Sequence, residues 1–335
     1  MSGAPPIAVL GAGSWGTALA IQLARSGRAT RLWGRNAGEL HALARDRVNA
    51  RYLPDAVFPE SLTIEQDLAA ALKGAVDVLV VVPSHAFRSL LTQIAPNLDA
   101  GARVAYATKG FELESGKLPH QVAREVLGAD RSTAVLSGPT FAKEVGKGLP
   151  TAMTVASTDV EFATSLAHGL HSNNFRAYTS GDLVGVEVGG AVKNVLAVGA
   201  GLSDGMGFGS NTRIALITRG LREMTRLGIT LGAQPDTLMG LAGLGDLVLT
   251  CTDDQSRNRR FGLLLATGKT PEQALAEIGQ AVEGYMAAKA VHQVAARAGV
   301  DMPICNGIYR VLYEKLPARD LVRDLMSRPI KAEHS

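Results

Sequence analysis

Cysteine is scarce in this chain: Cys251 and Cys305 are the only two among 335 residues. Two cysteines cannot build a disulfide framework, and no cysteine–histidine spacing matches a zinc site, so the sequence predicts no bound metal. His168 and His171 lie three residues apart, but no carboxylate or cysteine lies near them in sequence. We interpret them as an ordinary surface pair.

Charge is also sparse, and it is balanced. Charged residues make up 19% of the chain, and the formal net charge is +3. No clustered stripe of lysine and arginine is present, which argues against nucleic-acid binding, whereas a small anionic ligand suits the mildly basic balance. With 46% hydrophobic residues and 37 glycines, the composition indicates a globular protein rich in closely packed helices and tight turns.

The sequence shows neither a secretory signal nor a membrane span. Its first six residues lack a basic segment followed by an apolar run, which a signal peptide requires. The longest apolar stretch, residues 183–202, is interrupted by Glu187 and Lys193, and such charges are costly in the middle of a bilayer. We therefore expect a cytoplasmic protein that does not insert into membranes.

The first half of the chain alternates short apolar runs with helical patterns. Strands are predicted at residues 7–10, 30–33, 77–82, 103–108 and 133–137, with helices at 17–25 and 39–49. This alternation predicts the α/β class, with an N-terminal Rossmann-type, doubly wound parallel sheet. The ligand of such a sheet binds at the carboxyl ends of its strands.

Past residue 182 the pattern becomes helical throughout. Helices are predicted at residues 183–201, 212–227, 243–251, 257–267, 271–278, 282–298 and 304–314. We therefore expect a dinucleotide-binding domain over residues 1–182 and an all-helical substrate and catalytic domain over residues 183–335. The apolar character of the helical half is compatible with a homodimer.

A glycine-rich loop follows the first predicted strand. Gly11, Gly13 and Gly16 fit the pattern G-x-G-x-x-G and stand at the start of a predicted helix. In this pattern the first glycine permits a tight turn, the second lets the backbone approach a pyrophosphate, and the third packs the helix on the strand. Because the helix N-terminus adds free amides and a positive dipole end, the loop predicts a dinucleotide site.

The end of the second predicted strand bears on the choice of dinucleotide. Sites for NAD carry an acidic residue there, whereas this chain reads Trp33-Gly34-Arg35-Asn36. Arg35 is placed to meet a 2′-phosphate, so the sequence favours NADPH over NADH. The alternative is a solvated arginine in a surface loop.

Two lysines and an aspartate are candidate catalytic residues because of their positions in the predicted strands and helices. Lys109 follows the predicted strand 103–108, so it points into the crevice; the alternative is a lysine that extends to the surface. Lys193 lies in a helix that is apolar on nearly every face, and burial lowers the pKa of such a lysine toward neutrality, which suits a proton donor. The alternative is a buried ion pair between helices. Asp246 either pairs with Lys193 or caps the helix that follows.

A basic segment begins the predicted helix 257–267. Ser256, Arg257 and Asn258 offer a cap, free amides and a guanidinium, which together suit a phosphate monoester. The alternative is a basic, solvated helix end. Of the three arginines Arg257, Arg259 and Arg260, we expect two to be solvated in this way.

Eight short motifs together resemble those of the bacterial NAD(P)-dependent glycerol-3-phosphate dehydrogenases over essentially the whole chain. They are GAGSWGTAL at residues 11–19, VPSH at 82–85, TKG at 108–110, SGPTFA at 137–142, KN at 193–194, GLGD at 243–246, SRN at 256–258 and VEG at 282–284. The resemblance implies a reversible, NAD(P)H-dependent reduction of dihydroxyacetone phosphate to sn-glycerol 3-phosphate, which supplies glycerophospholipid synthesis.

The resemblance also implies roles for individual residues. Cofactor contacts are implied for Ser14, Trp15, Arg35, Lys109, Ala142, Arg257, Ala281 and Glu283. Substrate contacts are implied for Lys109, Gly138, Thr140, Lys193, Asp246, Ser256, Arg257 and Asn258. Lys193 is implied to protonate the carbonyl oxygen, with Asp246 and Lys109 beside it.

Two other functions are compatible with many of the same residues. A 3-hydroxyacid or 6-phosphogluconate dehydrogenase shares the Rossmann domain, the helical partner domain and a lysine followed by asparagine. A non-catalytic NADPH-binding sensor needs the glycine-rich loop, but it needs neither the two lysines nor the phosphate-site arginine.

Overall fold

A computed structural model describes residues 5–330 and 332–333. The start of the chain, from which no secretory signal is predicted, lies outside the described residues at positions 1–4. The predicted class is confirmed: a parallel-dominated sheet with helices fills the first half, and helices fill the second half.

Strands occur only before residue 181 in the described part of the chain. They are β1 Ile7–Leu10, β2 Thr30–Trp33, β3 Val48–Asn49, β4 Leu53–Val57, β5 Leu62–Ile64, β6 Asp77–Val80, β7 Arg103–Tyr106, β8 Thr133–Ser137, β9 Thr151–Ala156 and β10 Phe175–Ser180. Eight of them form one sheet in the order β10-β9-β8-β7-β6-β1-β2-β5, while β3 and β4 pair separately.

The helices pack on this sheet and continue beyond it. They are α1 Ser14–Arg25, α2 Ala37–Asp46, α3 Leu68–Leu72, α4 Ser84–Ile94, α5 Pro119–Leu127, α6 Ala142–Lys147, α7 Val160–Leu170, α8 Leu183–Gly205, α9 Ser210–Thr230, α10 Pro235–Met239, α11 Asp246–Thr252, α12 Arg257–Ala266, α13 Pro271–Ile278, α14 Glu283–Ala298, α15 Pro303–Tyr313 and α16 Ala318–Met326. A 3₁₀ turn spans Ala95–Asn97, and a π-helical turn at Leu241–Gly245 leads into α11.

One pair of strands departs from the parallel sheet that the sequence predicts. Strand β9 runs antiparallel to β8, and β10 then continues parallel to β9. The connection from β8 to β9 contains only the six-residue helix α6. Such a helix covers about 9 Å, whereas β8 is about 17 Å long, so α6 is too short to return the chain to the opposite edge of the sheet.

The order of the strands fixes where a ligand can bind. Strand β1 pairs with β2 on one side and with β6 on the other, both in parallel. The loops after β1 and β6 therefore leave the same edge of the sheet and turn away in opposite directions. This is the topological switch point at which doubly wound sheets bind their ligands.

Both faces of the sheet are buried, in two separate apolar clusters. Alternate residues of the central strands go to opposite faces: Ile7 and Val9 pack in one cluster, Ala8 and Leu10 in the other. The second cluster also contains Leu183 from α8. Thus α8 begins against the sheet before it enters the core of the helical half.

Helix α8 is the centre of the helical half. Nearly every residue from Leu183 to Ser203 is buried. By length and apolarity the helix could cross a membrane, but it is enclosed by protein, as the sequence predicts from its two charges. Its neighbours are α9, α11, α12, α14 and the π-helical turn.

Glycines let these neighbours approach the backbone of α8. A Cβ atom on Gly201 would lie 1.9 Å from the carbonyl oxygen of Arg259 in α12, and one on Gly262 would lie 2.1 Å from that of Val198. A Cβ on Gly189 would lie 2.4 Å from the carbonyl oxygen of Ala242 in the π-helical turn. Because no Cβ fits at these contacts, the glycines set the distances at which α8 meets α12 and the turn before Asp246.

Gly201→Ala should therefore destabilise the protein by about 3 kcal/mol, since the new methyl group would force α8 and α12 apart. Thermal and urea unfolding of the purified variant would measure the loss. Gly38→Ala in the exposed α2 is the matched control, because its Cβ would meet only the Asn36 side chain at 3.4 Å, and alanine there should stabilise the helix by about 0.5–1 kcal/mol. Equal stabilities for the two variants would contradict the proposed role of Gly201.

Candidate active site

The glycine-rich loop joins β1 to α1 at the switch point. Gly11 adopts a φ of +127°, and a Cβ there would lie 2.1 Å from the carbonyl oxygen of Val81, just after β6. A Cβ on Gly16 would lie 1.8 Å from the carbonyl oxygen of Gly11. Gly13 differs, since nothing lies within 4 Å of its Cβ position. Gly11 and Gly16 are therefore required by the fold, whereas Gly13 leaves open space in which a ligand can approach the backbone.

The N-terminus of α1 is open to a ligand. Its N-cap residue is Gly13, which makes no side-chain cap bond, and no acidic residue lies in the first turn. Among the described residues, no side chain therefore caps the first amides of the helix. The indole Nε1 of Trp15 is buried and has no hydrogen-bond partner in the described part of the chain. Free donors and a positive helix end fit the pyrophosphate of a dinucleotide.

A cleft of about 550 Å³ runs from this loop along the end of β2. It is lined by Gly11, Gly13, Ser14, Trp15, Gly16, Arg35, Arg257, Ala281 and Glu283, among others. Arg35 is exposed at its edge, and none of the hydrogen bonds or ion pairs among the described residues uses its guanidinium. The cleft thus gathers most of the residues predicted to hold the cofactor, with a free cation where a 2′-phosphate is expected.

A second cleft of about 670 Å³ adjoins the first. The two share Ser14, Trp15, Arg257, Ala281 and Glu283 as a common wall. The second cleft adds Lys109, Thr140, Ala142, Lys193, Asp246, Ser256 and Asn258. The structure therefore brings nearly all the predicted site residues to two connected clefts between the carboxyl edge of the sheet and the helical half.

Lys193 and Lys109 meet on one carboxylate. Lys193 Nζ donates to Asp246 Oδ1 at 2.5 Å, and Lys109 Nζ donates to Asp246 Oδ2 at 2.7 Å. Lys193 Nζ also donates to Thr250 Oγ1 at 3.1 Å, while the Thr250 hydroxyl donates to the carbonyl oxygen of Asp246 at 2.5 Å. Since an ammonium has three N–H groups, Lys193 keeps one donor that these protein contacts do not use, in a residue that lines the cleft.

Burial and charge set the protonation of this cluster. Burial lowers the pKa of Lys193 to about 8, and the charge of Lys109 lowers it too, while Asp246 acts in the opposite direction. Burial raises the pKa of Asp246, but the two ammonium groups outweigh this effect and hold that pKa below its ordinary value. Two ammoniums on one carboxylate leave one net positive charge, which suits an anionic ligand. A lysine with such a pKa can donate a proton near neutral pH.

The start of α12 forms the far end of the second cleft. The Ser256 hydroxyl caps the helix by accepting from the backbone N–H of Arg259, and its own proton remains available. Arg257 is partly exposed between the two clefts. Asn258 is buried, and its Oδ1 accepts from the backbone N–H of Gly284 at 2.9 Å. Cap, guanidinium and amide therefore lie side by side, as expected of a phosphate site.

The prediction that two of the three neighbouring arginines are solvated is wrong for Arg259. Its guanidinium is buried and donates to Asp204 Oδ2 at 2.6 Å, an ion pair that fixes α12 against the end of α8. Arg260 is exposed, as expected, and Arg257 is only partly buried. Sequence spacing did not reveal Asp204, since the partner lies 55 positions away on another helix.

One predicted residue does not face either cleft. Gly138 is buried at the end of β8 with a φ of +149°, and a Cβ there would lie 2.9 Å from the Cα of Met153. Its carbonyl oxygen accepts from the hydroxyl of Thr140 at 3.2 Å, and Thr140 does line the second cleft. Gly138 therefore contributes the turn that presents Thr140.

Several lining residues were not predicted. Thr250 holds Lys193, and Asn194 accepts from Asn258 Nδ2 at 2.9 Å and donates to Glu283 Oε2 at 3.2 Å. A signal was present for both: Thr250 lies four residues after Asp246 on the same helix face, and Asn194 follows Lys193 directly. Arg51 and Tyr52, which line both clefts, gave no comparable signal.

Known proteins resemble this chain over its whole length. The sequence profile of the N-terminal part of NAD-dependent glycerol-3-phosphate dehydrogenase matches residues 6–163, and that of the C-terminal part matches residues 182–323. The NAD(P)+ glycerol-3-phosphate dehydrogenase of Serratia proteamaculans is 57% identical over 326 residues, which is 97% of this chain and 96% of that one. The crystal structure of glycerol-3-phosphate dehydrogenase from Coxiella burnetii is 48% identical, covers 97% of this chain and 99% of its own, and superposes with a TM-score of 0.94.

Asp246→Asn should lower the free energy of unfolding by about 3 kcal/mol at pH 6, because it leaves a buried ammonium without its counter-charge. Without Asp246 the folded-state pKa of Lys193 falls further below its unfolded value, so the neutral lysine is reached at lower pH. The destabilisation should therefore shrink as the pH rises from 6 toward 8, where Lys193 of the unmodified protein also loses its proton, and level off above that. Urea unfolding of both proteins from pH 6 to 9 measures this trend. Asp253→Asn is the control: this residue lines the same cleft, and among the described residues its carboxylate accepts only from the backbone N–H of Gln255. An equal loss in both variants would count against the ion pair.

Proposed function

The chain belongs to the family of NAD-dependent glycerol-3-phosphate dehydrogenases, and we propose that its Lys193 is the acid that protonates the carbonyl oxygen of the substrate. The observation that carries this proposal is the ammonium of Lys193, buried on Asp246, with an N–H left for the cleft. The enzyme reduces dihydroxyacetone phosphate to sn-glycerol 3-phosphate with NADPH or NADH, and its product serves glycerophospholipid synthesis.

The first cleft is the proposed place of the cofactor, which supplies a hydride to the substrate ketone when it is bound. Gly11, Gly13 and Gly16 shape the loop, and Gly13 and the first amides of α1 receive the pyrophosphate. Ser14, Trp15, Lys109, Ala142, Arg257, Ala281 and Glu283 line the path toward the second cleft. The free guanidinium of Arg35 supports a preference for NADPH, whose 2′-phosphate it would pair with.

The second cleft is the proposed place of the substrate. Ser256, Arg257 and Asn258 bind the phosphate, and Thr140, presented by the Gly138 turn, lines the opposite side. With the phosphate at the start of α12, the ketone lies toward Lys193 and Asp246. The net positive charge of the two lysines and Asp246 favours the dianionic phosphate ester over an uncharged ketone.

The proton transfer follows from the charges around Lys193. Its unused N–H donates to the carbonyl oxygen, where negative charge develops as the ketone is reduced. The pKa near 8 keeps the lysine charged at pH 7 yet makes proton release favourable. Asp246 keeps the ammonium oriented, and Lys109 adds a second positive charge close to the reacting oxygen. In the reverse direction the neutral Lys193 is the base.

Three further proposals concern the whole molecule. Residues 1–182 form the dinucleotide-binding domain and residues 183–335 the helical domain, a division supported by strands that end at residue 180 and a helix that begins at residue 183. The protein is cytoplasmic. The exposed Ile214 and Ile229 on α9 support a homodimer through the helical half, which light scattering of the purified protein tests.

Lys193→Met should lower kcat for dihydroxyacetone phosphate at least about 10³-fold, since it removes both the acid and the charge that stabilises the transition state. KM should change little, because the phosphate site is intact. Oxidation of NADPH at pH 7 measures both constants. In the unmodified enzyme kcat should also decline above about pH 8, where Lys193 loses its proton. Lys269→Met, an exposed lysine paired with Glu277, is the control; normal turnover by the Lys193 variant would refute its assignment.

Arg35→Ser should lower kcat/KM for NADPH about 10- to 100-fold and leave that for NADH within about twofold, because only NADPH carries the 2′-phosphate. Arg45→Ser, on the outer side of α2 and paired with Asp46, should change neither value. An equal decrease of kcat/KM for both cofactors would show that Arg35 does not bind the 2′-phosphate.

A further inference from the structure

A fully buried carboxylate lies six residues, about 1.7 helical turns, before Lys193 on α8. Glu187 is 3% exposed, and its Oε1 accepts from the Tyr106 hydroxyl at 2.6 Å and from the backbone N–H of His120 at 2.8 Å. Its Oε2 lies 2.6 Å from His120 Nδ1. No step of the proposed reaction uses this group, yet burying a carboxylate is costly unless it is fully hydrogen-bonded.

The three side chains come from three separate elements. Tyr106 is the last residue of β7, His120 lies in the first turn of α5, and Glu187 lies in α8. The phenol of Tyr106 is completely buried, and its ring packs edge-on against Phe87 at a centroid distance of 5.1 Å. The bonds therefore join the sheet to the helical half through the buried side chains of Tyr106 and Glu187.

The sequence positions of these residues connect them to the site. Tyr106 stands three residues before Lys109 on the same chain segment, and Glu187 stands six residues before Lys193 on the same helix. The two lysines approach Asp246 from these two segments. The bond between Tyr106 and Glu187 therefore fixes the two backbones that determine how far apart the lysines lie.

Gly190 in α8 leaves little room between that helix and the side chain of Lys109. A Cβ on Gly190 would lie 3.3 Å from Cγ of Lys109 and 3.5 Å from the hydroxyl of Ser137, so the stem of Lys109 passes directly over α8. A small displacement of β7 along α8 would drive this stem into the helix or withdraw its ammonium from Asp246.

We propose that Glu187, with Tyr106 and His120, is a positioning group that holds Lys109 and Lys193 at their working separation on Asp246. The inference rests on the proposed role of Lys193 as the acid. None of the three residues lines either cleft, so they act through the two lysines. The consequence is electrostatic, because the repulsion between two charges changes with their distance.

This positioning makes a prediction that loss of stability alone does not make. Burial and the charge of Lys109 lower the pKa of Lys193, while Asp246 and Glu283 raise it. If Lys109 is held less closely while the other groups stay in place, the pKa of Lys193 should rise. For the reduction, the pH at which kcat declines should then move upward. A destabilised but otherwise intact enzyme would contain fewer active molecules, but the pH at which kcat declines would not change.

The experiment is Tyr106→Phe, which removes one hydrogen bond and keeps the ring. In folded protein, kcat for dihydroxyacetone phosphate should fall about tenfold, and the alkaline limb of kcat should move up by roughly 0.3–1 pH unit. The Kd for NADPH, followed by its fluorescence, should stay unchanged. If Tyr106→Phe fails to fold, His120→Ala, which keeps the backbone N–H, is the second variant. It should move the alkaline limb of kcat in the same direction.

Two controls make the outcome decisive. Ser157→Ala removes another buried hydroxyl, which donates to the carbonyl oxygen of Thr133 at the amino end of β8, whereas Tyr106 lies at the carboxyl end of β7. This variant should leave the alkaline limb of kcat unchanged. Glu187→Gln keeps acceptor and donor positions for the same partners and should retain most of the activity. An unmoved limb in folded Tyr106→Phe would overturn the proposal while leaving Lys193 as the acid, whereas normal turnover by Lys193→Met would overturn the proposed function itself.

Discussion

The rest of the site depends on one interaction, the pairing of two lysines with the carboxylate of Asp246. The carboxylate accepts hydrogen bonds from Lys109 at the edge of the sheet and from Lys193 on the central helix, so it joins the two halves of the chain in the second cleft. Two ammoniums this close would repel each other strongly if they were alone in a buried place. The carboxylate between them offsets this repulsion and leaves one net positive charge beside the second cleft.

Close backbone packing around α8 makes this arrangement rigid. Gly189 allows the π-helical turn to lie directly on the helix, and that turn places Asp246 at the start of α11. Gly201 and Gly262 bring α12 equally near, which sets the distance between the start of α12 and Lys193. The chemical groups are few, but the distances between them are fixed by positions where no side chain fits.

The sequence predicted features that arise from local rules. The bounds of β1, β2 and β8, the glycine pattern of the cofactor loop and the change to helices near residue 182 all follow from periodicity and turn chemistry. The pairing of Arg259 with Asp204 did not, because which buried charges meet depends on how distant helices pack. The antiparallel β9 was missed for a similar reason, since the length of α6 decides its direction. The identity of the substrate was inferred from the resemblance to a known family, because the spacing of residues does not identify a substrate.

The common wall of the two clefts has a consequence for how the ligands bind. Ser14, Arg257 and Glu283 border both clefts, so in the proposed placement the anionic cofactor and the anionic substrate would share the same partly buried guanidinium. Ordering Arg257 for one ligand removes part of the entropy cost of binding the other, while their like charges oppose each other. The balance is a single coupling free energy, and by thermodynamic linkage it changes the affinity for each ligand by the same factor.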